Sequence, residues 1–174
     1  MINIIIGTNR NDAVSAEVAN LYQQVLEKKD VGSELINLQD LPADFTVSAL
    51  YENNGKSEGF NQVRDRFREG NKFVFIIPEY NGSYPGVLKA FIDGMDYPSG
   101  LQDKKCALVG ISSGVQGASI ALSHFTDVLH YLGMHVLALK LKMGEIHLHL
   151  KNGQLTHRVY NDILHTQADQ LVRF

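Results

Sequence analysis

The stretch Lys72-Phe73-Val74-Phe75-Ile76-Ile77-Pro78-Glu79-Tyr80-Asn81-Gly82-Ser83-Tyr84-Pro85-Gly86 passes from an unbroken apolar run into prolines, glycines, tyrosines and an amide. The residues that follow, Val87-Leu88-Lys89-Ala90-Phe91-Ile92-Asp93, have helical period. Continuous rather than alternating apolarity marks a strand covered on both faces, as the strands of parallel sheets are. Strand, polar loop and helix in that order form part of a βαβ unit. The loop itself is a poor ordinary turn. Its prolines fix the backbone, its glycines let backbone N–H and C=O groups approach a ligand, and its aromatics give apolar cover. That combination suits a flat ring with a polar edge.

The same alternation extends along the whole chain. Apolar, β-branched runs at Ile2–Ile6, Ser33–Leu38, Lys72–Ile77, Lys105–Ile111 and His135–Leu139 read as strands. Helical periods fall between and after them, at Ala13–Lys29, Glu58–Gly70, Gly86–Met95, Gly117–Leu132 and Thr156–Val172. Five such strands separated by helices imply an α/β fold, a doubly wound parallel sheet with helices on both faces. Residues 1–174 read as a single domain, long enough to bury a sizeable core. Two stretches lack a clean period. Residues 39–57 read as an excursion that is either functional or simply at the surface. Within 140–156, Ile146-His147-Leu148-His149-Leu150 alternates and is expected to form an extended arm. His147 and His149 would then share a strand face, with His157 and Glu145 nearby. No cysteine completes a ligand set, so a solvated or interface-facing strand is preferred to a metal site.

Composition removes several classes of function. The chain is 44% hydrophobic and 20% charged with a formal net charge of −3, the profile of a soluble globular protein. No basic stripe is present to neutralise phosphates, which argues against nucleic acid as a partner. No basic amphipathic segment suggests a membrane surface, and no apolar run reaches the roughly 20 residues of a membrane span. Ile2–Ile6 is too short and lacks the basic flank of a signal peptide. Cys106 is the sole cysteine and lies in an apolar run, so it reads as a buried structural thiol. A cytoplasmic location is expected.

Ligands of open α/β sheets bind beyond the carboxyl ends of the strands, and three loops there have unusual composition. Gly7-Thr8-Asn9-Arg10-Asn11-Asp12-Ala13-Val14-Ser15 follows the first strand and opens a helix, whose free N–H groups and dipole suit a phosphate. Thr8, Arg10 and Ser15 add hydroxyls and a positive charge. The alternative is that Asn11 or Asp12 merely caps the helix. No Gly-Lys-Ser/Thr is present, so this is not a Walker loop. The second loop is 78–86. The third, Ser112-Ser113-Gly114-Val115-Gln116-Gly117, follows the fourth strand. Its glycine spacing departs from the G-x-G-x-x-G dinucleotide fingerprint, which disfavours a Rossmann NAD fold.

With these residues in place, the chain resembles the flavodoxin-like NAD(P)H-dependent FMN reductases, a family that includes quinone, chromate and azo-dye reductases. Pro78-Glu79-Tyr80-Asn81-Gly82-Ser83-Tyr84-Pro85-Gly86-Val87-Leu88-Lys89 follows that family's isoalloxazine loop. Gly7-Thr8-x-Arg10 matches the start of its phosphate loop, and Ser113-Gly114-x-x-Gly117 resembles its third flavin-contacting loop. The resemblance implies noncovalently bound FMN with NADPH or NADH as donor. The phosphate would meet Thr8, Arg10 and Ser15. The ring edge would meet Pro78, Glu79, Tyr80, Asn81, Gly82 and Ser83, and the loop of Ser112, Ser113, Gly114 and Gly117 would close over the pyrimidine side or the ribityl chain. No side-chain acid or base is required, and no catalytic residue is assigned. One departure is visible: Ala13 stands where the family usually has its loop serine, with Ser15 two residues later and Asp12 adding a negative charge.

The family also implies a homodimer or homotetramer, with Tyr80, Tyr84 and Tyr97 near the interface and 39–57 bordering the substrate pocket. The expected activity is electron transfer from NAD(P)H to a small acceptor such as a quinone, free flavin, dye or metal oxyanion. The alternative is a flavodoxin-type electron carrier. Carriers of that kind rely on strong charge complementarity, which a net charge of −3 does not offer.

Overall fold

In the computed structural model, which describes residues 1–174, strands and helices alternate along most of the chain. The strands are β1 (Ile2–Ile6), β2 (Ser33–Asn37), β3 (Lys72–Pro78), β4 (Lys105–Ile111), β5 (His135–Val136) and β6 (Leu141–Met143). The main helices are α1 (Val14–Glu27), α3 (Glu58–Glu69), α4 (Gly86–Asp93), α5 (Ser119–Tyr131) and α7 (Arg158–Arg173). Short helical turns α2 (Phe45–Ser48) and α6 (Ile146–His149) and a hairpin of β7 (Leu150–Lys151) with β8 (Gln154–Leu155) complete the order. The sheet is parallel with strand order β2-β1-β3-β4-β5, and β6 also pairs β4. Chain direction across the sheet reverses between β1 and β3. That is the switch point at which a doubly wound sheet opens a crevice.

Period-two alternation assigns the side chains to two cores. Phe73, Phe75 and Ile77 face one side with Phe60 and Phe67 of α3, Phe91 of α4 and Phe125 of α5. Val74 and Ile76 face the other with Val18 and Tyr22 of α1 and Leu164 and Leu171 of α7. The aromatic side is tightly joined: Phe67 meets Phe91 edge-on at 5.3 Å and Phe73 at 4.9 Å. Cys106 lies in this core with no exposure, and burial pushes its thiol up to about 12, so it is protonated at neutral pH.

Polar groups at the opposite edge close the helix ends. Lys72 Nζ donates to the Leu171 and Val172 carbonyls of α7, at 3.0 and 2.7 Å. Lys104 Nζ donates at 2.6 Å to the carbonyls of Arg68 and Gly70, where α3 ends. Cations at helix C-termini satisfy orphan carbonyls and oppose the dipole. Buried Asn3 serves α3 from inside, its amide donating to Arg66 and Phe67 carbonyls.

Two expectations need correction. The fifth strand is not the continuous His135–Leu139. It stops at Val136, and β6 resumes pairing beside Val109–Ile111. Across the break, the buried Gln167 amide of α7 donates to the Leu108 carbonyl at 3.0 Å and to the Leu139 carbonyl at 2.8 Å. The expected result of Gln167→Leu is a loss of about 2 kcal/mol in urea unfolding, because two inner carbonyls lose their donor. Second, Ile146–Leu150 is not an extended arm. Glu145 takes a left-handed backbone (φ 46°), 146–149 forms a helical turn, and His149 instead packs on His157 at 4.7 Å. The 39–57 stretch is irregular, as expected, but anchored in the core. Phe45 of α2 stacks on Phe60 at 5.8 Å, and Leu41, Ala49 and Leu50 are buried.

Candidate functional site

The three unusual loops converge on the carboxyl edge of the sheet. A cavity of about 250 Å³ lies at the β1/β3 switch point, lined by Arg10, Asp12, Ala13, Val14 and Ser15 of the first loop and Pro78, Glu79 and Tyr80 of the second. Ile111, Ser112, Ser113, Ile146 and His147 complete its wall. A second cavity of about 340 Å³ shares Glu79 and Ser112 with the first. It continues along Gly82, Gly114, Val115, Gln116 and the opening turn of α5 through Ile120. Together they form an elongated cleft of the size of ordinary ligand sites.

At the first end, local backbone leaves donors free. The α1 N-cap is Ala13, and no side chain caps it. Asn11 does not serve, since its Oδ1 accepts from Gln39 Nε2 at 2.7 Å, and Asp12, with a left-handed backbone (φ 51°), makes no capping bond. The simple capping alternative is therefore overturned. N–H groups at the start of α1 remain for an anion. Ser15 is 1% exposed, one residue inside α1, and lines the cavity. Thr8 has a different position: its hydroxyl pairs with the Tyr80 hydroxyl at 2.8 Å and accepts from the Arg10 N–H at 3.2 Å. It ties the first loop to the second and lines neither cavity.

The second loop turns tightly. Tyr80 N–H donates to the Ser83 carbonyl at 2.8 Å and Ser83 N–H returns to the Tyr80 carbonyl at 3.0 Å. The central pair Asn81-Gly82 has φ of 50° and 78°, the geometry that makes Asn-Gly a favoured two-residue turn. The Gly82 N–H donates to the Glu79 carboxylate, which fixes that side chain where the two cavities meet. Asn81 is exposed and lines neither cavity, so this turn accounts for its identity. Ser83 also lies outside the lining, bonded through its hydroxyl to His124 Nδ1 at 3.0 Å. Tyr84 packs edge-on against Phe125 at 5.1 Å, whereas Tyr97 is fully exposed.

The third loop is held from behind. Ser112 Oγ donates to the Gly114 carbonyl at 2.6 Å, and Glu145 N–H donates to the same carbonyl at 3.0 Å. Gly117 is buried with φ 55°, and a Cβ there would come within 2.6 Å of the Lys142 backbone. It is a packing position under the loop rather than part of the cleft wall. Of the sequence-derived residues, the structure brings Arg10, Ser15, Pro78, Glu79, Tyr80, Gly82, Ser112, Ser113 and Gly114 to the cleft. Ile120, Ile146 and His147 line it as well and stand outside the three loops read from the sequence. The β6 register decides the placement of Ile146 and His147, and it has no local signal. A further cavity of about 300 Å³ lies between Asn9 and Asn11 and the Gln39–Phe45 segment, on the other side of the first loop.

The family model of the NADPH-dependent FMN reductases matches residues 1–147. The chain belongs to that family. It is accordingly an oxidoreductase, from a family that pairs FMN with a reduced nicotinamide nucleotide. A 2-hydroxy-1,4-benzoquinone reductase from a Burkholderia species is 30% identical over 138 residues, covering 75% of this chain and 70% of the relative. The NADH:(hydroxy)cinnamate reductase subunit CrdA of Vibrio ruber is 27% identical over 126 residues, covering 72% of this chain and 60% of that subunit. Among solved structures, the flavoenzyme NAD(P)H:(acceptor) oxidoreductase FerB of Paracoccus denitrificans superposes with a TM-score of 0.80 at 24% identity. The superposition covers 99% of this chain and 94% of FerB and shows a shared flavodoxin-like fold.

Proposed function

We propose that the cleft holds FMN with its phosphate at the α1 end and its ring at the 79–82 and 112–116 end, and that the electrons pass from NAD(P)H to a small acceptor. The observation that carries the reading is the uncapped N-terminus of α1, opening beside Arg10 and Ser15 into one end of a long cleft. The residues present fit the group. Free N–H donors, a hydroxyl and a guanidinium suit a phosphate. Ile111 and Ile146 give the adjoining wall apolar surface, and Val115 and Ile120 do the same beside the turn of the second loop.

The chemistry FMN supplies when bound is acceptance of a hydride from NAD(P)H and release of the electrons to the acceptor. The protein's residues position and exclude. The Glu79–Gly82 bond and the Tyr80–Ser83 turn keep the second loop rigid, and Thr8 locks it to the first loop. The exposed third loop, Ser113 to Gln116, leaves one side of the cleft open. An open side admits acceptors of varied shape, and a quinone is the first class to test, given the names of the relatives.

Anaerobic mixing of the FMN-loaded protein with NADPH or NADH tests this reading. Rapid bleaching of the flavin absorbance, followed by recovery when a quinone is added, is the expected result. Bound flavin that neither nucleotide bleaches would establish an electron carrier instead.

A further inference from the structure

We propose that His147 is a phosphate-binding residue whose protonated imidazole adds a second positive charge to that of Arg10. The inference rests on the FMN reading above. His147 lines the same cavity as Arg10, Ala13, Val14 and Ser15, though it lies more than 130 residues further along the chain.

Backbone geometry puts it there. Met143 accepts from the Ser112 N–H at 3.1 Å, and Ile146 N–H returns to the Ser112 carbonyl at 3.2 Å, so the end of β6 is laced to the third loop. The left-handed Glu145 turns the chain, and Ile146, 5% exposed, plugs into the core. The next residue emerges at the cavity. His149, two positions on, is diverted into edge-on contact with the rings of His157 and Tyr160. Sequence alternation had paired these two histidines on one strand face, and the helical turn separates them.

Charge explains what His147 contributes. The lining holds one guanidinium, Arg10, against two carboxylates, Asp12 and Glu79, with the Tyr80 phenol beside them. Glu145 and His149 are the other titratable groups on the segment that carries His147. With His147 neutral, the ionisable groups of the wall sum to a negative charge, a poor setting for a phosphate dianion. Protonation of His147 brings the wall to neutrality, and the α1 N–H groups then supply the remaining attraction.

The test is FMN affinity from quenching of flavin fluorescence between about pH 6 and pH 8.5, with riboflavin as the phosphate-free probe. The phosphate's own second ionisation, near pH 6, affects wild type and variants alike, so the ratio between proteins is the readout. His147→Gln is expected to weaken FMN about fivefold at the acid end and hardly at all at the alkaline end, leaving riboflavin unchanged. His147→Lys is expected to keep FMN binding tight at about pH 8.5, because its charge persists there. If His147→Gln matches wild type at every pH while Arg10→Ala selectively loses FMN, the phosphate site stands and the role of His147 is refuted. If neither variant distinguishes FMN from riboflavin, the phosphate site itself is refuted, and this inference with it.

Discussion

Arg10→Ala is expected to weaken FMN binding about 30-fold, read by flavin fluorescence quenching, with no change in the thermal unfolding of the flavin-free protein. A charge-assisted hydrogen bond to a phosphate contributes roughly 1.5–3 kcal/mol, or about 10- to 100-fold in affinity. The guanidinium is exposed at the rim of the cavity, so its removal leaves no cavity in the core. Loop shape depends on the Arg10 backbone, whose N–H donates to Thr8 Oγ1, and alanine keeps that bond. Surface replacements of this kind ordinarily change stability by less than about 0.5 kcal/mol. Full FMN affinity in Arg10→Ala would remove the first loop from the site.

Gly144→Ala is the second large effect expected, and it acts from behind the site. A Cβ on Gly144 would stand 2.3 Å from the Val115 carbonyl oxygen, 2.6 Å from its carbon and 3.0 Å from the Gly114 carbonyl oxygen. All three atoms belong to the backbone of the third loop, so no side chain can rotate away. Gly144 is itself fixed, because the Tyr160 hydroxyl accepts from its N–H at 3.1 Å and donates to its carbonyl at 3.2 Å. Strain must therefore move the 114–115 segment into the cleft or pull α7 off β6. Overpacking of this kind costs about 1–3 kcal/mol, and the displaced loop should lower FMN affinity at least severalfold. Denaturant unfolding and flavin titration together check this. A variant as stable and as tightly binding as wild type would show that the third loop is soft.

These two positions show what could and could not be read in advance. Arg10 was legible because the phosphate loop is local: a strand end, a polar run and a helix start lie within nine residues, Gly7–Ser15. The Lys72–Ile77 and Lys105–Ile111 strands were legible because burial on both faces of a parallel sheet demands continuous apolarity, and all of Phe73–Ile77 is indeed without exposure. Gly144 and His147 carried no such signal. Their roles follow from β6 pairing with Val109–Ile111, a register set by the break after Val136 and bridged by Gln167 from α7. The alternation of Ile146–Leu150 pointed the wrong way because a four-residue turn is too short to establish its own period. Asn81 stands outside both cavity linings, and its left-handed φ, shared with Gly82, gives it a turn role that the polar loop sequence does not separate from a ligand role. Leu41 and Phe45 were lost in an irregular stretch because single apolar residues between polar ones announce no element, although both are buried.

The central claim is that a phosphate anchored at the start of α1 holds the flavin in this cleft. Comparing the affinities of the wild-type protein for FMN and for riboflavin, at neutral pH and fixed ionic strength, tests it most directly. Several charge-assisted contacts to one phosphate predict FMN binding at least about 100-fold tighter than riboflavin. Equal affinities would contradict the account.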